Sequence, residues 1–516
     1  MKSINKYSII NFLVCIILVI VCKYAIHPYL ATFKEDDIFS VISEFWPDHG
    51  EYLTSFLASF TIWWLPEMLH IHPQNIVDPW GVLLRCIILV WGCFVMASFV
   101  SPKNQNKLYM PFFILLSFYL TLASFNYEYR VFYIYAGFFR FYFPLALNML
   151  FWLMVCKNSS ENSNNTKFNF MIFILTAFLA GFSSEFISLF SLIPLFVIGI
   201  VKIFRKQLKF SDKNTIGAFV FILGSITVMV QAYLFSYSFT YFQNPQADLK
   251  LFLDEYWNLV VIQHIMPVFV IAVLIFILKI LNKINKNTLI TVLSFTAAPF
   301  IVMGSLWFGG LYDHDFSHTW LFHGHFHQTI DNIYFCIQFF LFGLILQDLN
   351  FAETDKNSAV KKCVLMLFVT ILFQSVYFFN SFYAYCRDGR NHHKYNDKMN
   401  TYITDKMFLF YILKNQPIVL GNKFLYNVVG VVNPDVYRED ITETEVKNSR
   451  WFNYIGFIYP KVVDTSKYDQ NNKIYFISEE DAMEEFKKAG GNFEKGEIEK
   501  ADFNRLYDKK FVLNEK

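Results

Sequence analysis

Carboxylates stand side by side in one short stretch of an otherwise apolar chain. Glu35, Asp36 and Asp37 are adjacent in FKEDDIFSV, residues 33–41. A carboxylate can take a proton from an acceptor hydroxyl, or hold a divalent cation such as Mg²⁺ or Mn²⁺ against a phosphate. We therefore take Asp36 and Asp37 as candidates for a catalytic base, and Asp37 also as a candidate metal ligand. Solvated surface charge is the alternative interpretation.

Histidines are concentrated in LYDHDFSHTWLFHGHFHQT, residues 311–329. Alternate residues of an extended chain point to one side, so three of these imidazoles could face the same ligand. Imidazoles can bind a phosphate or a sugar, which we prefer, or a metal such as zinc. The phosphate or sugar candidates are His323, His325 and His327. The metal candidates are Asp313 and His314, together with Asp37.

Other charged residues lie where apolar segments end. Glu185, in AGFSSEF (180–186), falls between two apolar segments, and ionisable residues near apolar depth are costly and often functional. We take it as a catalytic candidate, with a simple polar turn as the alternative. Guanidinium groups match a phosphate with a planar fork of donors, although they also snorkel to headgroups. The phosphate-binding candidates of this kind are Arg85, Arg130 and Arg140.

The composition predicts what must position these residues. The chain has 516 residues, of which 55% are hydrophobic, 20% aromatic and 17% charged, with a mean hydropathy of +0.35. This profile predicts a polytopic α-helical membrane protein, and the net charge of +2 gives no reason to expect nucleic acid as a partner. Eleven apolar segments are long enough to be transmembrane helices. They lie near 8–29, 80–100, 108–125, 136–156, 168–183, 186–203, 214–234, 258–280, 287–308, 328–347 and 361–384.

Lysine and arginine in alternate loops predict the orientation of this bundle. The loops 101–107, 157–167, 202–213 and 279–286, and the segment around Lys361, hold most of the loop cations. Positive loops stay cytoplasmic. The N-terminus is therefore expected inside, and the candidate residues outside.

Two further parts are expected on the outer side. Residues 51–69, within the first outer loop (31–79), carry apolar residues at helical spacing and predict an interfacial helix. From about residue 390 the composition becomes ordinary and charged. We expect a transmembrane domain over 1–389 and a small extracytoplasmic α+β domain over 390–516, with a strand at 472–477 and a helix at 478–491.

The chain resembles the GT-C glycosyltransferases, integral membrane enzymes that use polyprenyl-phosphate sugars. The resemblance rests on the acidic pair that opens the first outer loop, the interfacial helix, about eleven spans and an outer C-terminal domain. GFFRFYFP (137–144) and AGFSSEF (180–186) also look like the Gly-x-x-Asn-Tyr-x-x-Pro and Gly-x-x-x-Glu patterns of a bacterial branch. Phe141 stands for the Tyr and Arg140 for the Asn. The matching positions are Gly137, Pro144, Gly181 and Glu185.

The resemblance implies an inverting glycosyltransferase in a bacterial inner (plasma) membrane. The donor would be a polyprenyl-phosphate-linked sugar and the acceptor a cell-surface glycan or glycolipid, with membrane lipids around the bundle. Asp36 or Asp37 would be the base or a metal ligand. Three other classes stay open: a secondary transporter or flippase of lipid-linked glycans or another polar solute, a polymerase or ligase of lipid-linked glycans, and a metal sensor built on the histidines. Carriers usually have internal repeats and helices broken at the midplane, and the sequence shows neither.

Overall fold

A computed structural model gives the architecture of the chain. It describes residues 6–23, 80–102, 108–124, 138–158, 167–209, 211–235, 261–308, 324–346, 363–380, 419–421 and 475–477, and the single residues 57, 60, 65, 257 and 383.

The described residues form a bundle of apolar helices, preceded at one of them by a π-helical turn, Phe138–Tyr142. The helices are α1 (Lys6–Val21), α2 (Val82–Ser98), α3 (Met110–Ser124), α4 (Phe143–Asn158), α5 (Lys167–Phe182), α6 (Glu185–Phe204), α7 (Lys213–Phe235), α8 (Ile262–Ile280), α9 (Lys286–Phe308), α10 (Gly324–Leu346) and α11 (Cys363–Asn380). Each of the eleven apolar segments overlaps one of these helices, so the polytopic helical class is confirmed. By length and composition, α6, α7, α9, α10 and α11 could each cross a membrane.

Large apolar side chains cover the outside of the bundle. Leu223 on α7 is 58% exposed, and Phe368 and Val376 on α11 are 63% and 62% exposed. Soluble monomers rarely expose apolar patches of this extent. The outward faces of these helices therefore match a hydrocarbon environment.

Helix α10 is the central helix of the bundle. Within its apolar stretch, His327–Leu346, 72% of the residues are buried, against 28% for α6 and α11 and 33% for α7 and α9. It contacts α2, α3, α4, α8 and α9. A polar side chain on α10 must therefore find its partners inside the protein, because neither water nor lipid surrounds it.

One end of the bundle carries basic loops. Arg205, just after α6, donates a hydrogen bond to Asn287 in the first turn of α9, and Lys202 pairs with Asp212 at 3.5 Å. The segments 202–213 and 281–286 thus lie together, as their lysine content predicted for loops on one side. We call this the basic end.

The connection between α5 and α6 is a tight reversal made by two serines. Ser183 and Ser184 are buried, and the Ser184 hydroxyl caps α6 by accepting from the Ile187 N–H at 3.4 Å. The two apolar segments predicted here, 168–183 and 186–203, are thus two separate helices joined by a tight connection. Glu185, expected between the two apolar segments, is the first residue of α6, because Ser184 takes the extended conformation that an N-cap requires. The alternative interpretation, a simple polar turn at Glu185, is therefore wrong.

Glycines let α5 and α7 approach closely. A Cβ added at Gly181 would lie 3.0 Å from the Ser225 backbone nitrogen and closer still to the carbonyl oxygen of Phe221. A Cβ at Gly224 would lie 2.6 Å from the carbonyl oxygen of Phe178. Small residues that bring helix backbones together are the usual packing device in membranes. The glycine of AGFSSEF therefore has a packing role in this structure.

Gly181→Ala is expected to destabilise the bundle by about 1–3 kcal/mol, because the clash is with backbone that cannot rotate away. The measurement is thermal unfolding of the purified protein in detergent. The matched control is Gly199→Ala on α6, where an added Cβ meets nothing within 4 Å. Equal melting temperatures for the two variants would contradict the packing role.

Two of the predicted outer parts lie mostly outside the described residues. Of the interfacial helix (51–69), Leu57 is described and packs half-buried against the core. Beyond residue 390 the structure describes a parallel pair of short strands, β1 (Val419–Gly421) and β2 (Tyr475–Ile477). Strand β2 coincides with the end of the predicted strand 472–477. The remaining residues of the predicted α+β domain lie outside the described residues.

Candidate functional site

A carboxylate and two imidazoles form a buried line of hydrogen bonds between α8 and α10. Nδ1 of His264 lies 2.7 Å from Oδ1 of Asp331, and Nε2 of His264 lies 2.8 Å from Nδ1 of His327. Their exposed fractions are 1% for His264, 5% for His327 and 8% for Asp331. We call these three residues the histidine chain.

Helix geometry explains why the histidine chain assembles. His327 and Asp331 are four residues apart on α10 and so share one face. His264 is in the first turn of α8, and its ring fits between them, 5.0 Å from the ring of His327. Tyr334, also fully buried, packs edge to face on His264 and donates its hydroxyl to the Thr296 carbonyl on α9. The imidazole of His264 is therefore held from both sides.

The directions of the hydrogen bonds in the histidine chain follow from the charge of Asp331. With Asp331 ionised, its oxygen can only accept, so His264 carries a proton on Nδ1. In the neutral ring Nε2 then accepts from the Nδ1–H of His327. A proton delivered to Nε2 of His327 can pass through to His264 without movement of any heavy atom, because each step runs along an existing hydrogen bond. This arrangement is suited to acid–base chemistry.

A second polar network lies beside the histidine chain on α10. The side chain of Asn332 donates to the Gln328 carbonyl at 2.8 Å and to the Ser124 hydroxyl at 3.4 Å, and its oxygen accepts from Thr121 at 3.1 Å. Ser124 is the last residue of α3. The network connects the end of α3 to the first turns of α10. These two helices are therefore held together beside His327.

Both networks lie at one end of the bundle, opposite the basic end. α3 ends here, and α4, α8 and α10 begin here. α7 and α9, which begin at the basic end, also end here. We call it the histidine end. Among the residues that the structure describes, no three His, Cys, Asp or Glu side chains are grouped so that they could hold one metal ion.

The π-helical turn Phe138–Tyr142 is also at the histidine end. It contains Arg140, whose side chain is not described, between four buried aromatic residues. Tyr142 donates to the Leu89 carbonyl at 3.1 Å and lies against Gly92, where no side chain would fit. Pro144 is in the first turn of α4, where a missing N–H costs no hydrogen bond. π turns are frequent at functional sites.

For most of the other predicted site residues, the residue or its side chain lies outside what the structure describes. Arg85 is fully buried in the first turn of α2, and its Nε donates to the Gly81 carbonyl at 3.4 Å. The backbone of Glu185 and of His325 is helical, and their side chains are not described. Of the predicted ligands for phosphate or sugar, His327 is the one that the structure places in a polar network. The candidates outside the described residues are Asp36, Asp37, Arg130, Asp313, His314 and His323.

Sequence reasoning missed His264 and Asp331. Each is an ionisable residue inside or at the start of a predicted apolar segment, 258–280 and 328–347, and that was the available signal. The spacing of the histidines in 311–329 drew attention to a loop instead. It could not show that His327 would pair with a residue 63 positions earlier in the chain.

Comparison of the chain with protein-family models, with curated proteins and with solved structures found no match.

Proposed function

We propose that this protein is a membrane-embedded glycosyltransferase that moves a sugar from a polyprenyl-phosphate-linked donor to a hydroxyl of a cell-surface glycan or lipid. The observation that carries the proposal is the histidine chain, a buried acid–base group at the end of an apolar bundle. The phosphate and sugar of a lipid-linked sugar lie at the boundary between hydrocarbon and water. The end of an apolar bundle lies at the same boundary. The sequence resemblance to GT-C enzymes supports the same assignment.

The reaction forms one bond and breaks one. The acceptor oxygen attacks the anomeric carbon, and the bond from that carbon to the phosphate oxygen breaks, its electron pair leaving with the lipid phosphate. Asp36 or Asp37 takes the acceptor proton, as the resemblance implies. For this step the histidine chain begins with one extra proton, so that Nε2 of His327 carries a hydrogen. His327 gives that proton to the departing phosphate oxygen and takes one on Nδ1 from Nε2 of His264, which leaves both rings neutral. Asp331 keeps His264 in the tautomer and orientation that this transfer needs.

A second candidate is a proton-coupled transporter or flippase. One observation favours it, since Asp and His residues inside spanning helices often form proton relays in carriers. The position of the histidine chain favours the glycosyltransferase over the transporter. His264 and His327 are in the first turns of their helices, whereas carriers bind substrate and coupling ion near the bilayer midplane.

The test is mass spectrometry of surface and lipid-linked glycans from the native host with and without the gene. A transferase predicts glycans that lack one sugar mass and a build-up of the polyprenyl-phosphate donor. A flippase predicts complete lipid-linked glycans that accumulate on the inner leaflet. Unchanged glycans in both fractions would contradict the proposed function and the second candidate together.

A further inference from the structure

A large apolar cavity opens on the side of the bundle, apart from the histidine chain. Its volume is about 570 Å³, within the range of ligand sites. The walls come from α4, α6, α7, α9 and α10, with a contribution from the end of α2. Aromatic side chains form much of the surface, including Trp152, Phe190, Phe295 and Phe340.

The cavity is long and reaches the basic end. Its lining on α6 extends from Ile187 to Ile203, about 24 Å at 1.5 Å per residue. Three lining residues between α6 and α7 face outward, Phe196 at 70%, Ile203 at 58% and Phe219 at 51% exposed. An apolar chain could therefore enter sideways from the bilayer and lie along α6.

One cation lines the mouth of the cavity, and four more follow it closely in the sequence. Lys202 and Leu208 line it, and so do Asn214 and Thr215 at the start of α7. Residues 202–213 contain five lysines or arginines against the single carboxylate of Asp212. The turn that ends α6 has a defined backbone, because Lys206 takes a left-handed conformation (φ 55°) and the N–H of Gln207 donates to the Lys202 carbonyl at 2.8 Å. Basic pockets between helices on the cytoplasmic side are a known way to bind anionic lipid headgroups.

We propose that this cavity is a binding site for a membrane phospholipid with an anionic headgroup. One acyl chain occupies the apolar cavity along α6, and the phosphate lies against Lys202 and the neighbouring cations of the basic end. The site is independent of the proposed transfer reaction, which we place at the opposite end of the bundle. Apolar lining and charge complementarity at one mouth are the two observations that select this ligand.

The test uses the full chain reconstituted in phosphatidylcholine vesicles with and without phosphatidylglycerol, then extracted gently and examined for retained lipid by native mass spectrometry. Gly199→Phe places a ring in the cavity at a lining position where no atom is within 4 Å of an added Cβ. Lys202→Gln removes the cation at the mouth. We expect Gly199→Phe to abolish retention of phosphatidylglycerol, and Lys202→Gln to lower its preference over phosphatidylcholine about fivefold.

Two control variants match these changes. Leu365→Phe adds a ring to the lipid-facing surface of α11, and Lys6→Gln removes an exposed cation at the start of α1. Neither residue lines the cavity, and Lys6 is in neither of the two segments that define the basic end. Both should retain phosphatidylglycerol as the wild type does. Equal retention by wild type and Gly199→Phe would overturn the proposal. So would preferential retention of added polyprenyl phosphate, since the cavity would then hold the donor lipid. Melting temperatures show whether a variant has simply unfolded.

Discussion

Asp331→Asn is expected to lower sugar transfer by a factor of about a hundred or more, the usual contribution of a positioned acid–base group. The substitution keeps the size of the side chain. An amide, however, can present an N–H toward Nδ1 of His264, which favours the tautomer protonated on Nε2 and reverses the order of the chain. The measurement is the rate of sugar transfer by the purified protein in vesicles that contain a lipid extract from the native host.

If Asp331 had only a structural role, its substitution would also reduce activity, so a matched control is needed. Gln338 is two turns further along α10, is fully buried, and donates to the Pro267 carbonyl on α8 at 3.0 Å. It joins the same two helices but carries no titratable proton. Gln338→Met should therefore change the melting temperature about as much as Asp331→Asn does. It should leave the rate of transfer within about threefold of the wild-type rate, because Gln338 takes no part in proton transfer. If both variants lose activity in proportion to stability, the proton role is wrong.

His264→Gln is a second test of proton transfer through the histidine chain. Glutamine can accept and donate, so it can keep contacts to Asp331 and His327, but it cannot pass a proton at neutral pH. Loss of transfer with an unchanged melting temperature would separate proton transfer from packing. Full activity would restrict the role of the chain to holding α8 against α10.

The helices could be predicted from the sequence because each is a local pattern. A run of about 20 apolar residues needs an internally satisfied backbone in lipid, and a helix provides it without any partner. The connection between α5 and α6 is also a local feature of the sequence. Residues 168–203 were predicted as two apolar segments, and the chain reverses between them at Ser183 and Ser184.

The histidine chain could not be predicted in the same way, because it depends on how helices pack. His264 and His327 meet only if α8 and α10 are neighbours and their first turns are level. The sequence around His264 and around His327 indicates neither condition. The glycine at 181 illustrates the same limit, since the sequence indicated only that it matches a short family pattern. Its close contact with the α7 backbone becomes visible only in the folded bundle.

The Asp36→Asn, Asp37→Asn double variant is expected to abolish transfer, with at least a hundredfold loss, if either carboxylate is the base. Asn keeps the size of Asp and loses its basicity and its negative charge. The donor lipid should still bind, because the proposed phosphate contact through His327 is unchanged. We therefore expect accumulation of bound, unreacted donor in the double variant, measured by mass spectrometry of lipids that copurify with the protein.

The single variants divide the role between the two positions. If one carboxylate is the base, its Asn variant alone should match the double variant and the other should keep most of its activity. Glu35→Gln, next to the pair, is the matched control and should transfer at the wild-type rate. Full activity of the double variant would remove the acidic pair from the mechanism. The histidine chain would then be the remaining described group able to accept the acceptor proton, because it is the titratable network that the structure places at the histidine end.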